Sequence, residues 1–414
     1  MQKRRVVITG MGLITAIGQN LDEFWNNLIT GQSGIDNIDA FDASSFPTRI
    51  AAQVRGFKAE DYIPRKDARR MDRFVQFACA AARMAVSDSG LDINPAEADR
   101  IGVWIGSGIG GIETMENQHR VLLEKGVGSL SPFLVPMMIA NMAAGQTAIM
   151  LGCHGPCACT VTACASGTNS IGEGLQLIQN AKADVMICGG AEASITPVAM
   201  GGFCAMKAMS TRNDEPKKAC RPFDIDRNGF VMGEGAGILV LEEMEHARQR
   251  GARIYAELIG YGTSADAHHM VQPDLEGKGA LLAFNMALED AGISPRDVDY
   301  INAHGTGTHL NDQMETAVIH KVFGEHSSEL LVTSIKPLTG HMLGAAGAVE
   351  LIASVLALVN DTVPPTVNLE QPDPVCDLDY VPGKPRKKDL NVILSDSLGF
   401  GGHNAVLIAR KVEV

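Results

Sequence analysis

The sequence predicts an α/β protein whose mainly parallel sheet is covered by helices on both faces. Three observations carry that prediction. Short strand-like runs alternate with helical stretches along the whole chain, and the runs are apolar throughout rather than alternating in polarity. The series then begins afresh after Gly251. At 414 residues the chain can bury one large core or two of ordinary size. We divide it into an N-terminal half, residues 1–250, and a C-terminal half, residues 251–414.

The first series opens with Arg5 to Thr9, entered directly after Met1-Gln2-Lys3-Arg4 with nothing that resembles a signal peptide. Arg73 to Ser89 reads as a helix and Ile101 to Ile105 as a strand. Thr160 to Ala163 reads as a strand that feeds a helix over Ile171 to Asn180, where Ile171, Leu175 and Ile178 recur at helical spacing. Val185 to Cys188 and Gly237 to Leu241 complete the series. The second runs through Ile254 to Ile259, Val298 to Asn302, Leu331 to Ser334, Asn391 to Ser395 and Ala405 to Ile408. The two share a rhythm without obvious sequence identity.

Only 5% of residues are aromatic, whereas 44 are glycine and 19 methionine, a composition that suits tightly packed helices around an apolar tunnel. The formal charge of −13 argues against nucleic acid or an anionic membrane as partner. No uninterrupted apolar run reads as long enough to span a bilayer, so the expectation is a soluble, cytoplasmic protein. Cys153, Cys157, Cys159 and Cys164 crowd one region but lack the paired Cys-x-x-Cys knuckles of structural zinc. Cys157 and Cys159 should share one face of a strand, and the cysteines other than Cys164 should be free, buried and inert thiols. Gly106-Ser107-Gly108-Ile109-Gly110-Gly111 fits the dinucleotide fingerprint by letter. It lies far from any first βαβ unit and has no acidic residue to hold a ribose, which argues against a nicotinamide enzyme.

The chemistry concentrates in three segments. Cys164, within Val161-Thr162-Ala163-Cys164-Ala165-Ser166-Gly167, stands where a strand should pass into a helix of very small residues. A helix start of that kind offers free N–H groups and a positive dipole end that depress a thiol pKa. A buried structural cysteine is the bland alternative. Two histidines in glycine-rich turns, Ala303-His304-Gly305-Thr306-Gly307-Thr308 and Leu338-Thr339-Gly340-His341, supply the partners that a nucleophilic cysteine needs.

With Ser334-Ile335-Lys336-Pro337 and Gly399-Phe400-Gly401-Gly402, these segments resemble in order the β-ketoacyl-acyl-carrier-protein synthases of the thiolase-like superfamily, the synthase II type above all, over essentially the whole chain. The resemblance implies a five-layered α-β-α-β-α fold of two similar halves. It implies decarboxylating condensation: Cys164 holds an acyl chain as a thioester while His304 and His341 act on a malonyl thioester. The backbone N–H groups of Cys164 and Phe400 would form the oxyanion hole, with Phe400 also a gate, and Lys336 would pair with Glu315. Thr306 and Thr308 would hold the phosphopantetheine arm or the malonyl carboxylate. Ile109, Phe133, Leu134 and Phe203 would line the acyl pocket, Phe133 and Leu134 reaching in from a second subunit. Asn302, Glu350 and Asp396 match positions that hold a structural monovalent cation in some relatives. No cofactor is implied beyond the phosphopantetheine that arrives on an acyl carrier protein. That acidic partner would dock on Lys66, Arg69 and Arg70, in a run that includes Arg65 and Arg73, and on Lys207 near Arg212. A homodimer is expected.

Related chemistries fit less well. Thiolases use a second cysteine near the C-terminus, but the only cysteine beyond Gly251 is Cys376. Synthase III enzymes replace the second histidine with asparagine, and silent chain-length factors lack the cysteine. A ketosynthase of a polyketide or polyene pathway shares the triad and remains open. Leu398 and His403 stand where the synthase II pattern usually has Phe and Thr, beside the proposed gate, and put chain preference in doubt.

Overall fold

The computed structural model describes residues 3–412. Ten strands form its main sheet: β1 (Val6–Ile14), β2 (Ile101–Gly106), β3 (Cys157–Ala158), β4 (Val185–Glu192), β5 (Gly235–Glu243), β6 (Ala256–Ala265), β7 (Tyr300–Asn302), β8 (Leu331–Thr333), β9 (Val392–Gly399) and β10 (His403–Arg410). Their spatial order, β3-β2-β4-β5-β1 followed by β6-β10-β9-β7-β8, is one five-strand order used twice and joined back to back. The join is short, pairing Val6–Ile8 with Ala256–Leu258 antiparallel. In each half the two pairs nearest the outer edge are parallel and the next two antiparallel. The sheet is therefore mixed, which corrects the mainly parallel expectation: β10 returns beside β9 through a three-residue turn, and β5 runs antiparallel beside β4 after the longer connection 193–234.

Five helices set the layers: α1 (Arg73–Ser89), α2 (Ser166–Gln179), α3 (Lys278–Ala291), α4 (His309–Phe323) and α5 (Ala346–Asn360). α1 has its expected bounds because the Asp72 carboxylate accepts from Phe74 N and Gly90 closes it in a left-handed conformation. Its Phe74, Phe77 and alanine face packs on the outer side of the first half's strands. α3 and α4 pack against the second half's outer side. α2 and α5 lie between the halves in a third core containing Ile171, Leu175, Leu351 and Val355. The result is five layers, α-β-α-β-α. The inner layer is tight enough that a Cβ on Gly172 of α2 would lie 2.4 Å from the Tyr261 ring, and one on Gly174 2.2 Å from Cys188 Sγ.

Leu343–Asn360 is long and apolar enough to cross a membrane by length and composition, although Glu350 interrupts it, so it is not the uninterrupted run that the sequence was expected to lack. It is 89% buried within the protein, as the inner layer requires. The strand expected over Thr160 to Ala163 is absent, since β3 ends at Ala158 and the chain crosses to a 3-10 turn at Ala163–Ala165. Cys159 accordingly lies off the strand, and Cys157 is exposed rather than buried.

Candidate active site

Two turns of one shape open the inner helices. Ala163 takes a left-handed φ of 51°, Cys164 follows, and the 3-10 turn runs into α2; Leu343 takes φ 46°, Gly344 follows, and the turn runs into α5. Ala163 is held in this strained conformation by Ser166, whose Oγ donates to Ala163 O (2.7 Å) and accepts from Thr162 N (2.9 Å). Cys164 therefore projects from the N-terminal end of α2 into a cavity of about 250 Å³. From the second half, the turn after β7 brings His304 and the segment after the short helix Lys336–Thr339 brings His341.

His341 Nε2 lies 3.0 Å from Cys164 Sγ, and the two imidazole rings stand 5.3 Å apart and almost perpendicular. Both rings are nearly fully buried, and Nδ1 of each has no hydrogen-bond partner. A buried N–H without an acceptor is costly, so the protons belong on the Nε2 atoms. Burial, reinforced by the Lys336 charge, holds both histidines well below their ordinary pKa, so they are neutral donors. Burial also pushes the Cys164 thiol up to about 12, against the Phe400 N–H and the Lys336 charge, which pull it down. The depressed thiol pKa expected from the helix start is not found, and desolvation of the enclosed sulfur is the largest influence on it. Gly399 is required here because a Cβ would lie 2.8 Å from Thr162 O and 3.2 Å from Cys164 N.

The expected Lys336–Glu315 pair is not formed. Lys336 Nζ donates to Glu350 Oε1 at 2.5 Å and to the His304 carbonyl, all three groups being buried. Glu315 instead accepts from His304 N (2.6 Å) and Gly305 N (2.9 Å), fixing the His304 turn from the opposite side, and it is not a solvated helix residue. The physical reason is position: Glu350 sits mid-way along α5 as its only charged side chain and needs a countercharge. Burial raises Glu315 and Asp396, Asp396 the further because it also faces the Glu315 charge. Asn302 Oδ1, Glu350 Oε2 and both Asp396 carboxylate oxygens are buried with no partner, an oxygen set that fits a monovalent cation. Among the described residues, no group of three or more His, Cys, Asp or Glu is arranged to hold a metal ion.

Thr306, Thr308, Leu398, Phe400 and Lys207 line the same cavity. Thr306 and Thr308 hydroxyls lie 2.9 Å apart. Ile109, Phe133, Leu134, Phe203 and His403 do not line it. Phe203 is adjacent, stacked on Phe400 at 6.3 Å and edge-on to Phe230 at 5.6 Å. Ile109 and Phe133 are instead exposed on one chain, each by more than a third. Lys66, Arg69 and Arg70 are exposed, and the Arg70 guanidinium lies 4.6 Å over the Phe133 ring. Arg73 is half-buried and forms a two-pronged ion pair with Glu234.

Sequence reasoning missed Glu192. Its only signal is an acid that ends an otherwise apolar run, Val185-Met186-Ile187-Cys188-Gly189-Gly190-Ala191-Glu192.

Residues 3–247 match the family "Beta-ketoacyl synthase, N-terminal domain", and residues 255–370 match "Beta-ketoacyl synthase, C-terminal domain". The chain is 52% identical to the 3-oxoacyl-[acyl-carrier-protein] synthase 2 of Synechocystis sp., over 100% of this chain and 99% of that relative. It is 53% identical to the protein of the same name in Staphylococcus aureus, again over 100% of this chain and 99% of the relative. Among solved structures, the AntDE:AntF complex, a type II PKS acyl-carrier protein with its ketosynthase, superposes with a TM-score of 0.92 at 36% identity, covering 100% of both chains. Full-length identity of this level, together with a repeated five-strand fold whose two halves meet at a cysteine and two histidines, establishes that the chain belongs to the β-ketoacyl synthase family.

Proposed function

We infer that this protein is a 3-oxoacyl-acyl-carrier-protein synthase that joins an acyl group to malonyl-carrier protein, with loss of CO2, in fatty acid elongation. The observation that carries the inference is the 3.0 Å contact between Cys164 Sγ and His341 Nε2, with His304 alongside in one cavity. Cys164 Sγ bonds to the acyl carbonyl carbon and the carrier's thiol leaves with a proton. The N–H groups of Cys164 and Phe400 receive the oxyanion that forms on that carbonyl. In the second step the malonyl C–C bond to the carboxylate breaks and CO2 departs. The resulting enolate oxygen accepts from the two imidazole Nε2–H groups, which being neutral donate without first losing a charge. The enolate carbon then attacks the thioester and Cys164 leaves as thiolate. Lys336, through the His304 carbonyl, and Glu315, through its amide, fix His304 from both sides and serve as positioning residues.

Fatty acid elongation is preferred to a polyketide pathway because relatives at 52–53% identity carry the fatty-acid-type name, whereas the polyketide neighbour stands at 36%. The acyl carrier protein would dock at Lys66, Arg69, Arg70 and Lys207, all exposed, with Lys207 on the cavity wall. Asn302, Glu350 and Asp396 would hold a monovalent cation that offsets buried negative charge next to His304. A homodimer is supported by an apolar face including Ile109, Leu123, Val127, Phe133, Val135 and Ile139, each more than a third exposed on one chain. We keep the two-half division at residue 250 and a cytoplasmic location as parts of this proposal. Intact-mass analysis after incubation with an acyl donor tests the nucleophile: the wild type gains one acyl group and Cys164→Ala none. Equal acylation of both would refute the assignment.

A further inference from the structure

Glu192 is fully buried at the end of β4 and forms no ion pair among the described residues. Its carboxylate instead receives four hydrogen bonds from two separate segments. Oε1 accepts from Ser107 Oγ (3.0 Å) and Ile109 N (3.3 Å), and Oε2 accepts from Gly108 N (2.7 Å) and Gly344 N (3.1 Å). Ser107 Oγ also accepts from Gly110 N (3.0 Å), closing the turn. On its far side the turn rests on the segment after Phe133, with Gly111 N donating to Met138 O at 2.9 Å. The carboxylate thus stitches the Ile109 turn to Leu343–Gly344, and Leu343 is a wall of the active-site cavity.

The repeat explains why this carboxylate is there. β4 and β9 occupy the same place in their halves, both are eight residues long, and Glu192 ends one as Gly399 ends the other. Gly399 and Phe400 lie against the Cys164 turn; Glu192 lies against the Gly344 turn. In the half without a nucleophile, the N–H end that faces acyl chemistry in the other half is consumed by a side-chain carboxylate.

We propose that Glu192 is a specificity-determining positioning residue, whose carboxylate clamps the Ile109 turn onto Leu343–Gly344 and so fixes the depth of the acyl pocket. This rests on the reading, implied by the family resemblance, that Ile109, which lies outside the cavity described above and is exposed on one chain, forms the floor of an acyl pocket that a second subunit closes. A carboxylate suits the task because it accepts at both oxygens, whereas an amide offers one acceptor and turns a donor toward the remaining N–H groups. Glu192→Gln frees the turn, and Ser107→Ala frees it from the other side with a smaller risk to folding.

Hydrogen exchange on the full-length protein tests the clamp itself. In Glu192→Gln, peptides covering 107–111 and 343–345 should exchange faster together; unchanged exchange in both overturns the clamp whatever the function. Acylation kinetics with a ladder of primers test the specificity role. The ratio of kcat/KM for long over short primers should rise about ten-fold in Glu192→Gln and Ser107→Ala, equivalent to about 1.4 kcal/mol, while Ile109→Phe should lower it. If Ile109→Phe lowers the ratio but the other two leave it within two-fold of wild type, the proposal for Glu192 is wrong and the floor stands. If Ile109→Phe leaves the ratio unchanged, the reading of the floor is wrong, and the Glu192 proposal falls with it.

Discussion

The turns at Ala163–Ala165 and Leu343–Ala345 have the same backbone and opposite fates. Each starts from a left-handed residue and feeds a helix of the inner layer. One carries Cys164 and faces a cavity, while the other carries Gly344 and faces the Glu192 carboxylate. The helix end alone therefore does not make a reactive site, since both turns have one. The difference lies in what the opposite half sends across. The Cys164 turn receives two neutral imidazoles and a glycine-rich strand end, and the Gly344 turn receives an anion.

Removing what the second half contributes should have the largest effect. His304→Ala and His341→Ala should each slow CO2 release from malonyl-carrier protein by about 10²–10⁴-fold, with a smaller loss in acylation of Cys164. Single-turnover measurements of both steps would check it, and equal losses in the two steps would erase the division of labour between the halves.

The buried pair behind His304 comes next. Lys336→Met leaves Glu350 as a buried charge without its partner and should cost about 3–5 kcal/mol of stability. Lys336→Met with Glu350→Leu should recover much of that loss in denaturant unfolding while leaving decarboxylation impaired, because the His304 carbonyl has lost its donor. Recovery of both would reduce the pair to a structural role.

Acid sharpens the same contrast. Both histidines have folded pKa values well below 6.5, so below pH 6.5 the unfolded chain binds protons that the folded one refuses. Their stability contribution is fully present above pH 6.5 and is lost as the pH falls, by at most about 1.4 kcal/mol per histidine per unit. The unfolding free energy of His304→Asn and His341→Asn should each decline less steeply than wild type from pH 6.5 to 5.5. Parallel declines would contradict the neutral, desolvated imidazoles.

The smallest effect belongs outside both turns. Arg69→Glu with Lys207→Glu should raise KM for carrier-bound substrate about two- to five-fold per exposed charge at low salt, and should leave KM for a pantetheine thioester unaltered. Equal increases for both substrates would move the patch from docking to the pocket itself.

Much of this arrangement could be read from the residues, and the failures have definite causes. Nine of the ten strands and the bounds of α1 were legible because caps and apolar runs are local signals, whereas the two-residue strand Cys157–Ala158 is too short to leave one. Strand direction was not, because returns such as β9 to β10 are set by a three-residue turn with no distinctive periodicity. Cys164, His304 and His341 stood out through their glycine-rich settings, but the partner of Lys336 did not. Glu350 is one acid in the apolar run Leu343–Asn360, and a lone charge in such a run is itself the signal of a buried pair. The rise in the Cys164 pKa is not legible, because enclosure by the other half, which desolvates the thiol, leaves no local signal.

The most direct test of a thiol from one half meeting imidazoles from the other is CO2 release by Cys164→Gln. The glutamine amide stands in for the acyl carbonyl in the hole formed by the N–H groups of residue 164 and Phe400, and both histidines remain in place. The variant should therefore release CO2 from malonyl-carrier protein while forming no condensation product, and adding His304→Ala should abolish the release. Loss of CO2 release in Cys164→Gln, or release that survives the added His304→Ala, would contradict the account.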